Sequence, residues 1–189
     1  MIGLFGGSFD PVHHGHLMVA QVARETLQLE QLRFVPAGIQ PFKEGEHLAS
    51  AADRVAMLRL ALASSPGLAL ETCEVEREGP SYTVDTLRAL KAREPGESFI
   101  LLLGADAARD LPRWREADEV LRRAKVAVLT RPGYEAPVAP WVSAVVPVPA
   151  LDLSATDLRR RAAAGRSLRY FVPDAVANFV AARGLYKDQ

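Results

Sequence analysis

Short, nearly continuous apolar runs recur along the chain, separated by longer stretches in which apolar residues return every three or four positions. The short runs IGLF (2–5), LRFVP (32–36), LALETCEV (68–75), FILLLG (99–104), VAVLT (126–130) and SAVVPV (143–148) predict strands. The longer stretches predict helices over roughly 16–29, 51–63, 82–93, 113–124, 155–164 and 173–183. Strand, helix, strand repetition of this kind predicts an α/β fold, an open, mainly parallel sheet with helices on both faces. No sequence repeat, low-complexity tract or linker interrupts it, so residues 1–189 are expected to form one domain. The Pro-rich stretch 132–149 is the least regular and reads as a surface loop.

The unusual residues share one location. GGSFDPVHHGH, PAGIQPFK, EREGPSYT, GADAARDLPRW, TRPG and PALDLSAT each follow directly after a predicted strand. In open parallel sheets, ligands bind outside the carboxyl ends of the strands, near the point where strand order reverses. Polar loops are expected in any protein, but six of them gathering such residues at one sheet edge predicts a binding site there.

Composition removes several alternatives. The chain has 189 residues, 49% of them apolar, enough for one sizeable core. Lys plus Arg and Asp plus Glu balance at 23 each, so neither nucleic acid nor an anionic membrane is expected as a partner. Cys73 is the only cysteine, which excludes an internal disulfide and suggests a reducing, cytoplasmic compartment. It is expected to be a small buried hydrophobe in a strand rather than a reactive thiol. The first residues, MIGLFGGSF, lack the basic start of a signal peptide, and no stretch approaches the ~20 apolar residues of a membrane span.

The first loop carries the clearest chemistry. Gly6 and Gly7 let the backbone turn and approach a ligand, followed by Ser8 and Phe9. A helix starting near His16 offers unpaired N–H groups and a positive dipole end to an anion. His13 and His16 lie three apart, so a helix that begins between them lets both rings converge on one point and donate N–H groups to phosphate oxygens. Zinc is disfavoured for want of thiols and of a third ligand at sensible spacing. The loop is neither a Walker loop nor a G-x-G-x-x-G fingerprint. His14, by contrast, is expected only to solvate a turn. Asp10, before a proline, reads as a turn initiator.

GGSFDPVHHGH resembles the signature of the nucleotidyltransferase superfamily, whose H-x-G-H motif grips the phosphates of ATP during attack on the α-phosphorus. Taken alone, that resemblance leaves the second substrate open among several phosphate-bearing acceptors. REGPSYTVDTL (77–87), GADAARDLPRW (104–114), TRPG (130–133), LSATDLRRR (153–161) and the closing FVPDAVANFVAARGLY resemble bacterial nicotinate-nucleotide adenylyltransferases nearly end to end. The family shows Pro-Pro-His-Lys where this chain reads Gln40-Pro41-Phe42-Lys43, and a second serine where this chain has Ala155.

The resemblance implies a Rossmann-like fold and transfer of the adenylyl group of ATP to nicotinate mononucleotide, giving deamido-NAD and pyrophosphate. Mg²⁺ would accompany ATP, held mostly through water. His13, His16 and Arg159 would stabilise the transferring phosphorus centre. Gly6, Gly7, Ser8, Phe9, Lys43, Gly104, Asp106, Arg131, Ser154 and Thr156 would surround ATP, with the helical part from about 154 onward completing the phosphate site. Ser154 with Asp157 three positions on also reads as a capping box, and Arg160 and Arg161 as solvated helix-face charges. Trp114, set among charges in PRWRE, would stack on the cationic pyridinium ring, an attraction of ~0.5–2 kcal/mol. Tyr82 and Thr83 would present donors to the nicotinate carboxylate, with Ser81 as the N-cap of their helix. The alternatives are phosphopantetheine adenylyltransferase, which gives no reason for GPSYT or Trp114, and a non-catalytic nucleotide sensor, which gives none for the intact histidine pair. Homo-oligomerisation is left open.

Overall fold

The computed structural model describes residues 1–39 and 48–187. Six strands form one parallel sheet: β1 (Ile2–Gly7), β2 (Gln31–Pro36), β3 (Leu68–Leu70), β4 (Phe99–Gly104), β5 (Ala124–Thr130) and β6 (Val142–Pro147). Their order across the sheet is β3-β2-β1-β4-β5-β6, so the order reverses between β1 and β4. The helices are α1 (His14–Thr26), α2 (Ala51–Leu62), α3 (Cys73–Glu76), α4 (Thr83–Arg93), α5 (Ala105–Asp110), α6 (Ala117–Arg123), α7 (Ala155–Ala163) and α8 (Asp174–Arg183), with a 3-10 turn at Leu111–Arg113. The expected Rossmann-like α/β fold is the one found.

Alternate side chains of each strand feed opposite faces, as the pleat requires. Ile2, Leu4, Val35, Phe99 and Leu101 pack beneath Val84, Leu87 and Leu90 of α4 and Val120 of α6. Leu32, Phe34, Ile100 and Leu102 face the other way, against Ala20 and Ala23 of α1, Met57 and Leu58 of α2, and Val176 and Val180 of α8. The foot of α4 is tied to β2, where Arg33 donates to both carboxylate oxygens of Glu94 at 2.8 and 2.7 Å. These two hydrogen bonds hold the Glu94 carboxyl down at about 2.

Three expectations need correction. The run 68–75 is not one long strand: β3 stops at Leu70 and Cys73–Glu76 turns into α3. Only Leu68, Ala69 and Leu70 lie beside residues of β2, and Glu71 to Glu76 put a polar residue at every second or third position, too many for a buried strand. Cys73 therefore sits half-buried at a helix start, and burial together with Glu71 and Glu74 pushes its thiol up to about 12. The stretch 113–124 is not one helix either, because Trp114, Arg115 and Glu116 separate the 3-10 turn from α6. Finally, GADAARD is helical, as α5, rather than a loop.

β1 and β4 are in register only from Ile2 and Phe99 to Leu4 and Leu101. Beyond that they part, although β1 continues to Gly7 and β4 to Gly104. The sheet thus opens at its carboxyl edge just where the strand order reverses.

Candidate active site

Two groups of predicted site residues flank Gly6 and Gly7 at this edge, one toward α4 and one toward α1. On the α4 side lies a cavity of about 330 Å³ lined by Gly6 and Gly7, by Ser81 to Thr83 and by Trp114 and Arg115. Trp114 ends the 3-10 turn and is half-buried against the Leu111 and Val126 cluster, so one side of the indole packs while another lines the cavity. Tyr82 is the N-cap of α4 and makes no side-chain cap bond; its ring lies 4.7 Å from the Arg115 guanidinium. Thr83 is the first helical residue, whose N–H has no partner within the helix. Ser81 is not the N-cap. Its hydroxyl accepts from the Gly38 N–H at 3.1 Å and its own N–H donates to the Ile39 carbonyl at 2.7 Å, which stitches the loops after β2 and before α4 together.

The histidines lie at the start of α1. α1 begins at His14 with His13 as N-cap, the one register in which both imidazoles face each other. Their rings stack at 3.6 Å with 23° between planes. Phe9 lies edge-on to His16 at 5.0 Å and, with Phe5 and Phe34, forms an aromatic floor. The His13 backbone N–H donates to His16 Nδ1 at 3.3 Å, which leaves the neutral His16 ring with its proton on Nε2. Burial, then the neighbouring His14, brings His13 down to about 4, and burial, then His13, holds His16 well below its ordinary range. His13 Nδ1 is buried without a partner. The pair is a neutral, desolvated donor set.

The remaining predicted residues fall as follows. Phe9 is 1% exposed, so its ring belongs to the core and only its backbone reaches the edge. The Ser8 carbonyl accepts from Arg54 Nη1 at 2.9 Å. Gly104 caps α5, and a side chain on Gly6 or Gly104 would meet open space. Asp106, exposed on α5, accepts from Arg109 at 2.8 Å. Arg131 follows β5 at the same edge, its guanidinium 5.8 Å from the Tyr134 ring. Ser154 caps α7, its hydroxyl accepting from the Asp157 N–H at 3.1 Å and donating to the Asp157 carboxylate at 2.9 Å; the carboxylate thus meets the hydroxyl rather than the Ser154 N–H that a full capping box would use. Arg159 donates to the Asp10 carbonyl at 2.9 Å and to the Thr156 hydroxyl at 3.2 Å, fastening α7 to the histidine loop. Arg160 pairs with Asp157 on the surface as expected. Arg161 does not simply face solvent: it donates to the Ser167 carbonyl at 2.6 Å and lies over the Phe171 ring. Lys43 lies outside the described residues. Among the described residues no three His, Cys, Asp or Glu side chains gather as a metal site.

Sequence reasoning missed four contributors. Gly15 is one: a Cβ there would stand 3.0 Å from His13 Nδ1. Arg54 is another, only 2% exposed, and its signal was an arginine on the same α2 stripe as Met57, Leu58 and Ala61. Asp10 is fully buried rather than a surface turn, its carboxylate accepting from the Leu48 and Ala49 N–H groups and from the Tyr186 hydroxyl. Glu74 borders the α4-side cavity, accepts from the Thr86 hydroxyl at 2.7 Å and is raised by burial.

Comparison with known proteins agrees with this geometry. The cytidylyltransferase-like family profile matches residues 4–161. The "Probable nicotinate-nucleotide adenylyltransferase" of Roseiflexus sp. (strain RS-1) is 44% identical over 98% of each chain. The protein of the same name from Thermus thermophilus is 42% identical over 98% of this chain and 99% of its own. In fold, the chain matches Plasmodium falciparum nicotinic acid mononucleotide adenylyltransferase complexed with NaAD, with a TM-score of 0.80, 18% identity and coverage of 100% of this chain and 98% of that one. With the histidine pair and the divided sheet edge at the places the motifs require, the chain belongs to the cytidylyltransferase-like family, among the nicotinate-nucleotide adenylyltransferases.

Proposed function

We infer that the chain transfers the adenylyl group of ATP to nicotinate mononucleotide, releasing pyrophosphate. The observation that carries this reading is a tryptophan-walled cavity reaching Gly6 and Gly7, with a stacked imidazole pair at the start of α1, the helix that follows those glycines. The dinucleotide product would run from that cavity across Gly6 and Gly7 toward the histidines. Its pyridine ring would lie against Trp114, with the carboxylate toward the free N–H groups at the start of α4 near Tyr82 and Thr83. ATP would lie along the histidines, between Gly104, Asp106 and Arg131 on one side and Ser154, Thr156 and Arg159 on the other.

The mononucleotide phosphate is already an anionic nucleophile at neutral pH, so no covalent intermediate is required. Catalysis is then alignment plus stabilisation of charge on the phosphorus centre. His16 Nε2–H donates to phosphate oxygen, and the Arg159 guanidinium, fixed on Asp10 and Thr156, supplies positive charge. The Asp10 carboxylate is taken up by three donors, while Asp106 stays exposed with one oxygen on Arg109, so Mg²⁺ brought in with ATP would find few protein carboxylates here and would be held mostly through water, supplying positive charge to the phosphates. Pyrophosphate release from ATP, measured against nicotinate mononucleotide, nicotinamide mononucleotide and phosphopantetheine, tests the assignment. Release with the first is expected. Release only with phosphopantetheine, or with none, would overturn it.

A further inference from the structure

Asp10 joins three parts of the chain at one buried point. It lies in the histidine loop, three residues before His13. Its carbonyl holds Arg159 of α7 at 2.9 Å, and its carboxylate accepts the Tyr186 hydroxyl at 2.6 Å from the turn after α8. Tyr186 is itself 6% exposed and has φ 68°, a left-handed conformation that a non-glycine residue keeps only where its surroundings hold it. Arg54 lies close enough to share the field of this pair, and with Nη1 it holds Ser8, at the other end of the same loop. The loop is thus braced from α2, α7 and the C-terminal turn.

We propose that Tyr186 is a positioning residue of the active site, which, by holding Asp10, sets the separation between the histidine pair and Arg159. This rests on the phosphate roles proposed for His16 and Arg159. The reach of a guanidinium bonded to a loop carbonyl depends on where that carbonyl sits, and small misplacements remote from the chemistry can cost up to ~10² in rate.

The test compares Tyr186→Phe with Val180→Ala, which trims buried α8 packing without touching Asp10. Melting temperature and kcat at saturating substrates are measured for both, and Tyr186→Phe is repeated on an Arg159→Ala background. Val180→Ala should melt lower with full kcat. Tyr186→Phe should lose roughly tenfold in kcat with the KM for nicotinate mononucleotide held, and should add little once Arg159 is gone. Full kcat in Tyr186→Phe, a loss that multiplies with that of Arg159→Ala, or failure of Tyr186→Phe to fold would each overturn the proposal. Full kcat in Arg159→Ala would overturn the phosphate site as well, which separates the two failures.

Discussion

Two imidazoles stacked at 3.6 Å in a desolvated seat repel a shared charge, so the free protein keeps both neutral. That has a measurable consequence for stability. His13 titrates near 4 in the fold against 6.5 ordinarily, so the unfolded chain binds this proton first as pH drops. The contribution of neutral His13 is complete above pH 6.5 and is lost as pH falls toward 4, on the order of 3 kcal/mol at the acid end. Melting curves between pH 7 and 4 should show this decline, and His13→Gln should flatten it; equal slopes would contradict the burial of the ring. Loss of the second donor is expected to act on turnover: His16→Ala should lower kcat by ~10²–10³, a larger effect than the lowering of the melting temperature that follows from losing its packing on Phe9 and its bond from the His13 N–H. Gly15 gives a sharper separation. A Cβ at Gly15 would stand 3.0 Å from His13 Nδ1, tight enough that the ring must give way. Gly15→Ala should therefore fold and lose kcat because the His13 ring must shift, whereas unchanged kcat would show that the ring need not sit where it does.

At the scale of elements, much of the molecule was readable from periodicity alone. The five longer strands and the helices α1, α2, α4, α7 and α8 match their apolar patterns to within a few residues, because each buries a face that the pattern marks. Misreadings fell on short elements, where tertiary contacts decide. Three residues of β3 pair with β2 and then the chain turns, and α5 is only one and a half turns set by Ala105 and Ala108 against Val126 and Val128. The N-cap at Ser154 was visible from its spacing, but the bond from Arg159 to a carbonyl 149 residues away was not. Long-range hydrogen bonds to backbone carry no local pattern. That bond gives the element-level prediction. Arg159→Ala should raise the ATP requirement, blunt inhibition by pyrophosphate and lower the melting temperature modestly, because both a phosphate contact and a tie between α7 and the loop are removed. A melting change with unaltered ATP titration would reduce Arg159 to a structural tie.

Across the whole molecule, the strand order explains why the motifs converge. Reversal between β1 and β4 splits the carboxyl edge, and residues at the end of β1 and after β2, β3 and β4 line the cavity there. The sequence made that convergence legible as six unusual loops. It left illegible the division into two faces, since the side on which each loop leans depends on packing. No helix among the described residues is long and apolar enough to cross a membrane. Stacking on Trp114 attracts a pyridinium whether it carries an acid or an amide, so selection belongs to the start of α4. There a carboxylate satisfies N–H donors, while an amide would set its own NH₂ against them. An unpaired buried group costs ~1–3 kcal/mol, equivalent to roughly ten- to hundred-fold discrimination. The most direct measurement is therefore kcat/KM for nicotinate and nicotinamide mononucleotides, on the unmodified protein and on Trp114→Ala. A preference for the acid of at least about tenfold is predicted, with Trp114→Ala weakening both substrates alike. Equal use of the two by the unmodified protein would contradict the account.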